Sequence, residues 1–281
     1  MKTPVDVAKT PYFDRVFRMP FETIILTVYS GGRREHYWLK GVTDEQVADE
    51  TRQFHELARH LLTTYEGSRK TFILSHWEGD WAARGSFDAD RDVAPLAIQS
   101  MVRWLNARQA GVDLARKELP GSDVRVFHAA EVNRVSDAMD RGRTCVVNGV
   151  IPHTAVDLVS YSAWDTQDDP ASLCRALDFI ARHAPDSEAF GAKNVYVGEF
   201  GKPENEFTRQ VVERSVSRTF STAYQWGCPY VVFWQVYCNE AKKPLVEDND
   251  DVRGFWLIRP DGTRGWACDV LRGILAEDGQ R

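Results

Sequence analysis

Glu199 is the residue of this sequence that is best placed for acid chemistry. It stands in the string Val195-Tyr-Val-Gly-Glu-Phe-Gly201, and the apolar start of that string predicts a short buried strand. The glycines on either side of the Glu-Phe pair let a backbone or a substrate approach closely. We therefore expect the Glu199 carboxylate at the carboxyl end of a strand, at the mouth of an active site. A buried ion pair between Glu199 and a neighbouring arginine is the open alternative.

Glu78 is the second candidate, in the string His76-Trp-Glu-Gly-Asp-Trp81 directly after an apolar run. Its neighbours Trp77 and Trp81 would set the carboxyl group beside flat apolar faces. Desolvation in such a place raises the pKa of a carboxyl group and suits it to protonating a leaving group. The alternative is a surface loop in which both tryptophans are buried structural side chains.

Aromatic and hydrogen-bonding side chains follow two more apolar runs. Tyr161 and Trp164 follow the fourth run, and Trp234 and Gln235 end the sixth. Sugars present C–H faces that stack on indole rings and hydroxyl groups that need polar partners. Together with the two tryptophans of the previous string, these residues predict a carbohydrate-binding cleft. For any single tryptophan, a place in the core is the alternative.

The string His128-Ala-Ala-Glu-Val-Asn133 supplies further polar groups after the third run. Glu131 competes with Glu78 for the acid/base role. We favour a supporting role for Glu131, because with Arg134 close by it can form an ion pair that holds a neighbouring carboxylate ionised. Asn133 belongs to the same supporting set.

His76 and His128 both fall where an apolar run ends. Their spacing matches no metal-binding pattern, so we predict supporting roles for both and neither a metal ion nor another cofactor. A metal-assisted hydrolase built on these two histidines, Glu131 and Asp165 is a rival interpretation. Loss of activity with a chelator would favour it.

Alternating strand and helix patterns surround these candidates. Apolar, β-branched or aromatic runs predict six buried strands, at Phe21–Tyr29, Thr71–Ser75, Val124–Ala130, Leu158–Ser162, Val195–Val197 and Tyr230–Trp234. Helical spacing predicts helices between them, opening at Thr43 and at Asp169-Pro170, and spanning Pro95–Leu119 and Thr208–Tyr224. Such alternation is typical of parallel βαβ units, whose strand ends gather on one face.

The position of the polar residues separates a barrel from a doubly wound sheet. A doubly wound nucleotide binder carries a Gly-rich turn after its first strand, and this sequence has none. Charged and aromatic residues instead follow the ends of several strands, as in a (β/α)8 or TIM-type barrel. Because no repeat, low-complexity stretch or linker interrupts the chain, we predict one domain over residues 1–281.

Composition excludes several classes of protein. The net charge of −6 comes without a basic stripe, which argues against a nucleic-acid partner. No apolar run reaches the roughly 18 residues of a membrane span, and Met1–Lys9 has no signal-peptide pattern. Five scattered cysteines without a CxxC pair argue against a zinc knuckle or a disulfide framework. The sequence carries no signal for an oligomeric state or a cellular location.

The strand-end strings together resemble the clan A glycoside hydrolases, which are retaining enzymes with a (β/α)8 barrel. The resemblance covers roughly residues 20–258 and is closest to uncharacterised glycosidase-like barrels. Four strings carry it: His128–Asn133, Tyr161–Asp165, Val197–Gly201 and Gly254-Phe-Trp-Leu-Ile-Arg-Pro-Asp-Gly262. The resemblance implies a carbohydrate substrate, but these strings identify the group and not a sugar.

Carried over residue by residue, the resemblance makes Glu78 the acid/base and Glu199 the nucleophile. It sets Tyr161 near the position that hydrogen-bonds the nucleophile, and Trp234 under the sugar that is attacked. The sequence departs from the clan at Trp77, where the clan usually has an asparagine that binds the sugar 2-hydroxyl. A non-catalytic carbohydrate-binding barrel is therefore the alternative to a retaining glycoside hydrolase.

The strand count departs from the clan as well. Counting back from Glu199 as the end of the seventh strand makes Phe21–Tyr29 the third, with only about twenty residues before it. We therefore predict an incomplete barrel with about six of eight βα units, a fragment that lacks the first one or two. In such an arrangement the strands at Phe21–Tyr29 and Tyr230–Trp234 form the two edges.

Overall fold

The computed structural model describes residues 2–278 of the protein. Its sheet contains six strands in the order of the sequence, and the strand pairs β1–β2, β2–β3 and β5–β6 are parallel. The strands are β1 (Thr23–Thr27), β2 (Thr71–Ser75), β3 (Arg125–Val132), β4 (Leu158–Ser162), β5 (Val195–Phe200) and β6 (Val231–Phe233). All six predicted strands are confirmed, and β1 and β6 stand at the two ends of the order, as predicted.

Strand register aligns the carboxyl ends that carry the candidate residues. Thr27 of β1 pairs with Ser75 of β2, and Leu74 of β2 pairs with His128 of β3. At the other end of the order, β5 and β6 pair with a register shift between Val197 and Phe200. Every residue of β2 is buried, because a parallel strand is covered by side chains on both faces.

Ten α-helices accompany the strands within residues 2–278. They are α1 (Pro4–Ala8), α2 (Pro11–Phe17), α3 (Asp44–Thr64), α4 (Gly79–Arg84), α5 (Pro95–Glu118), α6 (Val135–Arg141), α7 (Val146–Gly149), α8 (Pro170–His183), α9 (Arg209–Trp226) and α10 (Trp266–Asp278). The predicted capping box is present at α3, where Thr43 and Gln46 exchange side-chain and backbone hydrogen bonds. None of the helices described has the length and apolarity that a membrane span needs.

The segment before β1, for which the sequence predicts no element, forms α1 and α2. Each begins with a proline at its first turn, where the missing N–H costs nothing, and Thr3 caps α1 in a capping box with Asp6. Phe17 of α2 is buried and contacts the ring of Phe72 in β2 at 5.4 Å. These helices therefore cover part of the sheet beside β1.

The described chain forms two compact units. The first contains residues 2–160 and 179–195, and the second contains residues 161–178 and 196–278. In the first unit, Phe54 and Leu61 of α3 pack with Leu74 of β2 and Val126 of β3 in one apolar core. In the second, α9 packs against α10. The prediction of a single domain over residues 1–281 stays a prediction.

Candidate active site

The loop after β2 holds Glu78 in an unusual backbone conformation. Glu78 is left-handed, with φ 58° and ψ 45°, at the start of α4. Its N–H donates to the Glu131 carboxylate of β3 over 2.9 Å. A Cβ on Gly79 would lie 2.1 Å from the Glu131 carbonyl oxygen, so only glycine fits behind Glu78. Contacts with the end of β3 thus fix the path of the chain after β2 and the position of Glu78 in it.

The carboxyl groups of Glu78 and Glu131 lie in different surroundings. Glu78 is half-buried, and its Oε2 accepts a hydrogen bond of 2.7 Å from Nδ2 of Asn133. Glu131 is only 3% exposed. Of these two carboxyl groups, Glu78 is therefore the more accessible to a ligand. The structure brings together the predicted residues Glu78, Glu131 and Asn133.

Asp80 ties this loop to two other parts of the first unit. Its buried carboxylate accepts backbone N–H bonds from Asn133, Arg134 and Val146 at 2.8–3.1 Å. Its own N–H donates to Oδ1 of Asn133 over 2.9 Å. Burial raises the pKa of Asp80, and the hydrogen bonds from the backbone oppose that shift. The sequence prediction missed Asp80, although it stands in the same string as Glu78.

His76 is a neutral structural partner of this cluster. Its ring is buried, and Nε2 accepts the Glu131 N–H over 3.0 Å. Burial, aided by the charge of Arg108, lowers the pKa of His76 to about 3. Because the lone pair of Nε2 is engaged with the backbone, the rival metal-assisted hydrolase loses support. Within residues 2–278 no three His, Cys, Asp or Glu residues are grouped to hold a metal ion.

His128 lies on the helix-facing side of β3. Its ring is completely buried and meets the ring of Phe54 in α3 at 5.8 Å. Neither ring nitrogen has a hydrogen-bond partner among the described residues, and burial lowers the pKa of His128 well below its ordinary value. None of the hydrogen bonds that join Glu78, Glu131 and Asn133 uses this ring.

The two tryptophans beside Glu78 differ in exposure. Trp77 is 43% exposed, and the Tyr29 hydroxyl bonds both its backbone N–H and its carbonyl at 3.3 Å. Trp81 is half-buried, with the guanidinium groups of Arg84 and Arg134 over its ring at 5.3 and 5.1 Å. Trp77, the residue before Glu78, therefore offers an accessible indole, whereas Trp81 is partly covered.

A buried ion pair between α3 and α5 has no counterpart in the sequence prediction. Arg108 of α5 donates to Glu50 of α3 over 2.7 Å, and both are 1% exposed. Tyr37 also donates to Glu50, and the Arg108 guanidinium lies 3.6 Å from the ring centroid of Trp104. Burial lowers the pKa of Arg108 and raises that of Tyr37. No strand-end pattern marks these residues, because they lie in or beside helices.

Glu199 lies in the second unit at the carboxyl end of β5 and is 9% exposed. Its Oε2 accepts a hydrogen bond of 3.0 Å from the indole Nε1 of Trp164. The N–H of Ala163 donates to the Glu199 carbonyl over 2.8 Å, which joins the residues after β4 to β5. The structure therefore brings Trp164 and Glu199 together.

Tyr161, in β4, is completely buried. Its hydroxyl donates to Asp165 over 2.5 Å and shares a hydrogen bond of 2.7 Å with Thr166. The predicted contact between Tyr161 and the nucleophile stays a prediction. The observed bonds fix the turn that carries Trp164, whose ring packs edge-on against Phe255 at 5.5 Å.

Trp234 follows β6 and is joined to the end of β5. Its N–H donates to the Phe200 carbonyl over 2.8 Å, and its Nε1 donates to Glu240 over 3.1 Å. A Cβ on Gly201 would lie 2.5 Å from the Trp234 carbonyl oxygen, so the glycine after Phe200 permits this approach. The peptide bond between Trp234 and Gln235 is cis. The Gln235 side chain contacts that of Asn239 at 2.7 Å.

Comparison with solved structures identifies a known fold. No family model matches the chain, and no curated protein sequence matches it. Among solved structures, it is similar to a GH5_18 variant from Streptomyces cattleya in complex with Manβ1-4GlcNAc, at TM-score 0.54 and 14% identity over 90% of this chain. A glycoside hydrolase 5 lichenase variant from a Caldicellulosiruptor species, in complex with cellotetraose, gives TM-score 0.56 and 9% identity over 97% of this chain.

A GH10 endoxylanase from a sugarcane soil metagenome is similar at TM-score 0.51 and 11% identity over 90% of this chain. The chain spans 61%, 73% and 76% of the Streptomyces, Caldicellulosiruptor and metagenome chains, respectively. The protein therefore has the α/β fold of the GH5 and GH10 glycoside hydrolases, with six strands within residues 2–278. The resemblance to glycosidase-like barrels is confirmed at the level of the fold.

Proposed function

We propose that the protein is a retaining glycoside hydrolase that cleaves a β-linked glycoside. The observation that carries the proposal is the hydrogen-bonded setting of two glutamates, each at the carboxyl end of a strand. Glu199, near the carboxyl end of β5, accepts a hydrogen bond from Trp164, and Glu78, in the loop after β2, accepts one from Asn133. Carboxyl groups at strand ends are the chemical groups that a glycosidase barrel uses.

The proposed reaction has two steps. Glu78 protonates the leaving oxygen while Glu199 attacks the anomeric carbon and forms a covalent glycosyl-enzyme. Glu78, now a carboxylate, then takes a proton from water, and this water releases the sugar with retained configuration. The donor Trp164 orients the Glu199 carboxylate for the attack. No cofactor enters either step.

The acid/base role falls to Glu78 rather than to Glu131. Glu78 is half-buried, and it lies in the same loop as Trp77, whose ring is exposed. Glu131 is 3% exposed and its carboxylate accepts the Glu78 N–H. A carboxyl group that is hydrogen-bonded to the backbone and so deeply buried is better suited to a supporting role than to exchanging a proton with a substrate.

The substrate class that we propose is a β-linked oligosaccharide. Two of the structural neighbours hold Manβ1-4GlcNAc and cellotetraose. On this chain Trp77 is an exposed indole next to Glu78 in the sequence, Trp164 is a half-buried indole that donates to Glu199, and Trp234 is a half-buried indole directly after β6. Indole faces stack on the C–H faces of β-linked pyranoses, so these three rings are the proposed sugar contacts.

A panel of aryl β-glycosides, followed by replacement of Glu199, tests the proposal. We expect E199Q to abolish turnover while sugar binding remains, because the nucleophile is needed only in the chemical step. Glu213 of α9 pairs with Arg209 on the same unit, and E213Q is the matched control that retains activity. A 2-deoxy-2-fluoro glycoside should label the peptide that contains Glu199. Turnover by E199Q comparable to that of the wild type would refute the mechanism.

A non-catalytic carbohydrate-binding protein is the second candidate. The observation that favours it is the exposed Trp77 at the position where the clan usually carries an asparagine. In that case calorimetry would detect saccharide binding by the wild-type protein, and no glycoside in the panel would be cleaved. Wild-type protein and E199Q would then bind the same saccharides with equal affinity.

A further inference from the structure

We propose that Asn133 is a positioning residue that sets both the orientation and the proton affinity of the Glu78 carboxyl group. This inference rests on the proposed function, in which Glu78 is the acid/base. It adds a specific physical role to a residue that the sequence marks only as one of several polar groups after β3. The contacts of Asn133, its burial and its anchoring by Asp80 carry the inference.

The first observation is the hydrogen bond itself. Nδ2 of Asn133 donates to Oε2 of Glu78 over 2.7 Å, a short distance that is typical of donation to a charged acceptor. Asn133 is 4% exposed, so water competes little for this donor. A donor of this kind stabilises the carboxylate more than the carboxylic acid, and therefore makes Glu78 a stronger acid than it would be without Asn133.

The second observation is that the Asn133 amide cannot turn away. Its Oδ1 accepts the Asp80 N–H over 2.9 Å, and its own backbone N–H donates to the Asp80 carboxylate over 2.9 Å. Asn133 and Asp80 thus form a reciprocal pair that fixes which end of the amide faces Glu78. Asp80 is fully buried and also accepts the N–H groups of Arg134 and Val146, which hold it in place.

The third observation concerns the backbone of Glu78. Its left-handed conformation is unfavourable in a residue other than glycine, because Cβ then comes too close to the following carbonyl oxygen. The N–H bond to Glu131 and the bond from Asn133 hold Glu78 from its two ends, the backbone and the carboxyl group. Residues on β3 and just after it therefore determine both where Glu78 stands and how its carboxyl group is turned.

The inferred role has a consequence for catalysis. A general acid must be protonated in the first step and ionised in the second, so its proton affinity has to lie near the working pH. Desolvation of the Glu78 carboxyl group and the neighbouring Glu131 carboxylate, which accepts the Glu78 N–H, favour the acid, whereas the Asn133 donor favours the carboxylate. Loss of the donor should therefore move the Glu78 titration, and with it the basic limb of the activity profile, to higher pH.

The test is a pH titration of the Glu78 carboxyl carbon by ¹³C NMR, with the signal assigned by its loss in E78Q. In N133A we expect the titration midpoint to rise by about one pH unit, because a donor to the carboxylate is lost. In the isosteric N133D the rise should be larger, since a carboxylate then faces Glu78. N148A is the matched control, because Asn148 bonds only local backbone groups of α7 and its approach.

Activity gives a second readout. In both Asn133 variants the basic limb of the pH profile of kcat/KM should move by the same number of pH units as the NMR midpoint. If Asn133 served only the stability of the fold, its replacement would lower kcat/KM without moving this limb. Unchanged midpoints in N133A and N133D overturn the inference. A shifted midpoint in a protein that cleaves no glycoside refutes the proposed function and leaves the positioning role intact. If N133A does not fold, the isosteric N133D decides.

Discussion

His76 should make the fold sensitive to acid. It is 3% exposed at the end of β2, and burial lowers its pKa from 6.5 to about 3, with the charge of Arg108 adding to the effect. Its Nε2 accepts the Glu131 N–H, which a protonated ring cannot do. The folded protein therefore keeps His76 neutral, whereas the unfolded chain takes up a proton as the pH falls through about 6.5.

The size of this effect follows from the two pKa values. Because the folded pKa is the lower one, the stabilisation is complete above pH 6.5 and is lost progressively as the pH falls toward 3. Between pH 7 and pH 5 the loss amounts to about 2 kcal/mol, and it approaches roughly 5 kcal/mol below pH 3. Burial lowers the pKa of His128 too, so that residue adds a loss of the same sign.

Urea unfolding between pH 7 and pH 5 measures the effect. We compare the wild type with H76Q, in which the amide oxygen can still accept the Glu131 N–H. H153Q is the control, because His153 is exposed at the end of a 3-10 helix. The free energy of unfolding of H76Q should fall less steeply, by about 1 kcal/mol per pH unit near pH 5.5, since one fewer proton is taken up. Equal slopes for the wild type and H76Q would refute a neutral buried His76.

Three further outcomes test the proposed site. W234A, measured by calorimetry in the E199Q background, should weaken sugar binding by about 1 to 3 kcal/mol if the indole stacks on the sugar; unchanged affinity would exclude that contact. G79A should lose most activity because its Cβ would lie 2.1 Å from a carbonyl oxygen, whereas G121A has open space and should match the wild type in rate and in melting temperature. A crystal structure should show the carboxyl groups of Glu78 and Glu199 about 5 to 5.5 Å apart, and a separation of about 7 to 9 Å would indicate inversion.

The strands were predictable because runs of β-branched and aromatic residues mark them directly. The residues at which the strands begin and end were less predictable. The predicted strand Val195–Val197 continues to Phe200, and the predicted Val124–Ala130 runs from Arg125 to Val132. In both cases the strand includes a glutamate near its end, Glu199 in β5 and Glu131 in β3. Because the sequence pattern identifies buried strands by apolar residues, a charged residue made each predicted strand end too early. The predicted strand Phe21–Tyr29 is shorter in the structure, at Thr23–Thr27.

The candidate residues were predictable from position, but their partners were not. Glu78 and Glu199 follow apolar runs, which a single sequence shows. The bond from Asn133 to Glu78 joins residues 55 apart, and its direction depends on the buried pair with Asp80. The bond from Trp164 to Glu199 spans 35 residues. Such contacts come from tertiary packing, which no local pattern in the chain encodes.

Backbone strain by itself does not locate the site, and a comparison within this chain shows why. Within residues 2–278, Arg69 and Glu78 are the two residues other than glycine that have positive φ, at 55° and 58°. Arg69 lies in the connection between α3 and β2, where a left-handed residue can help to reverse the chain. Glu78 differs because residues of another strand and its loop, Glu131 and Asn133, hold its backbone and its carboxyl group separately. Strain that is over-determined in this way is typical of functional positions, so the hydrogen bonds around Glu78, and not its φ angle, support its proposed role.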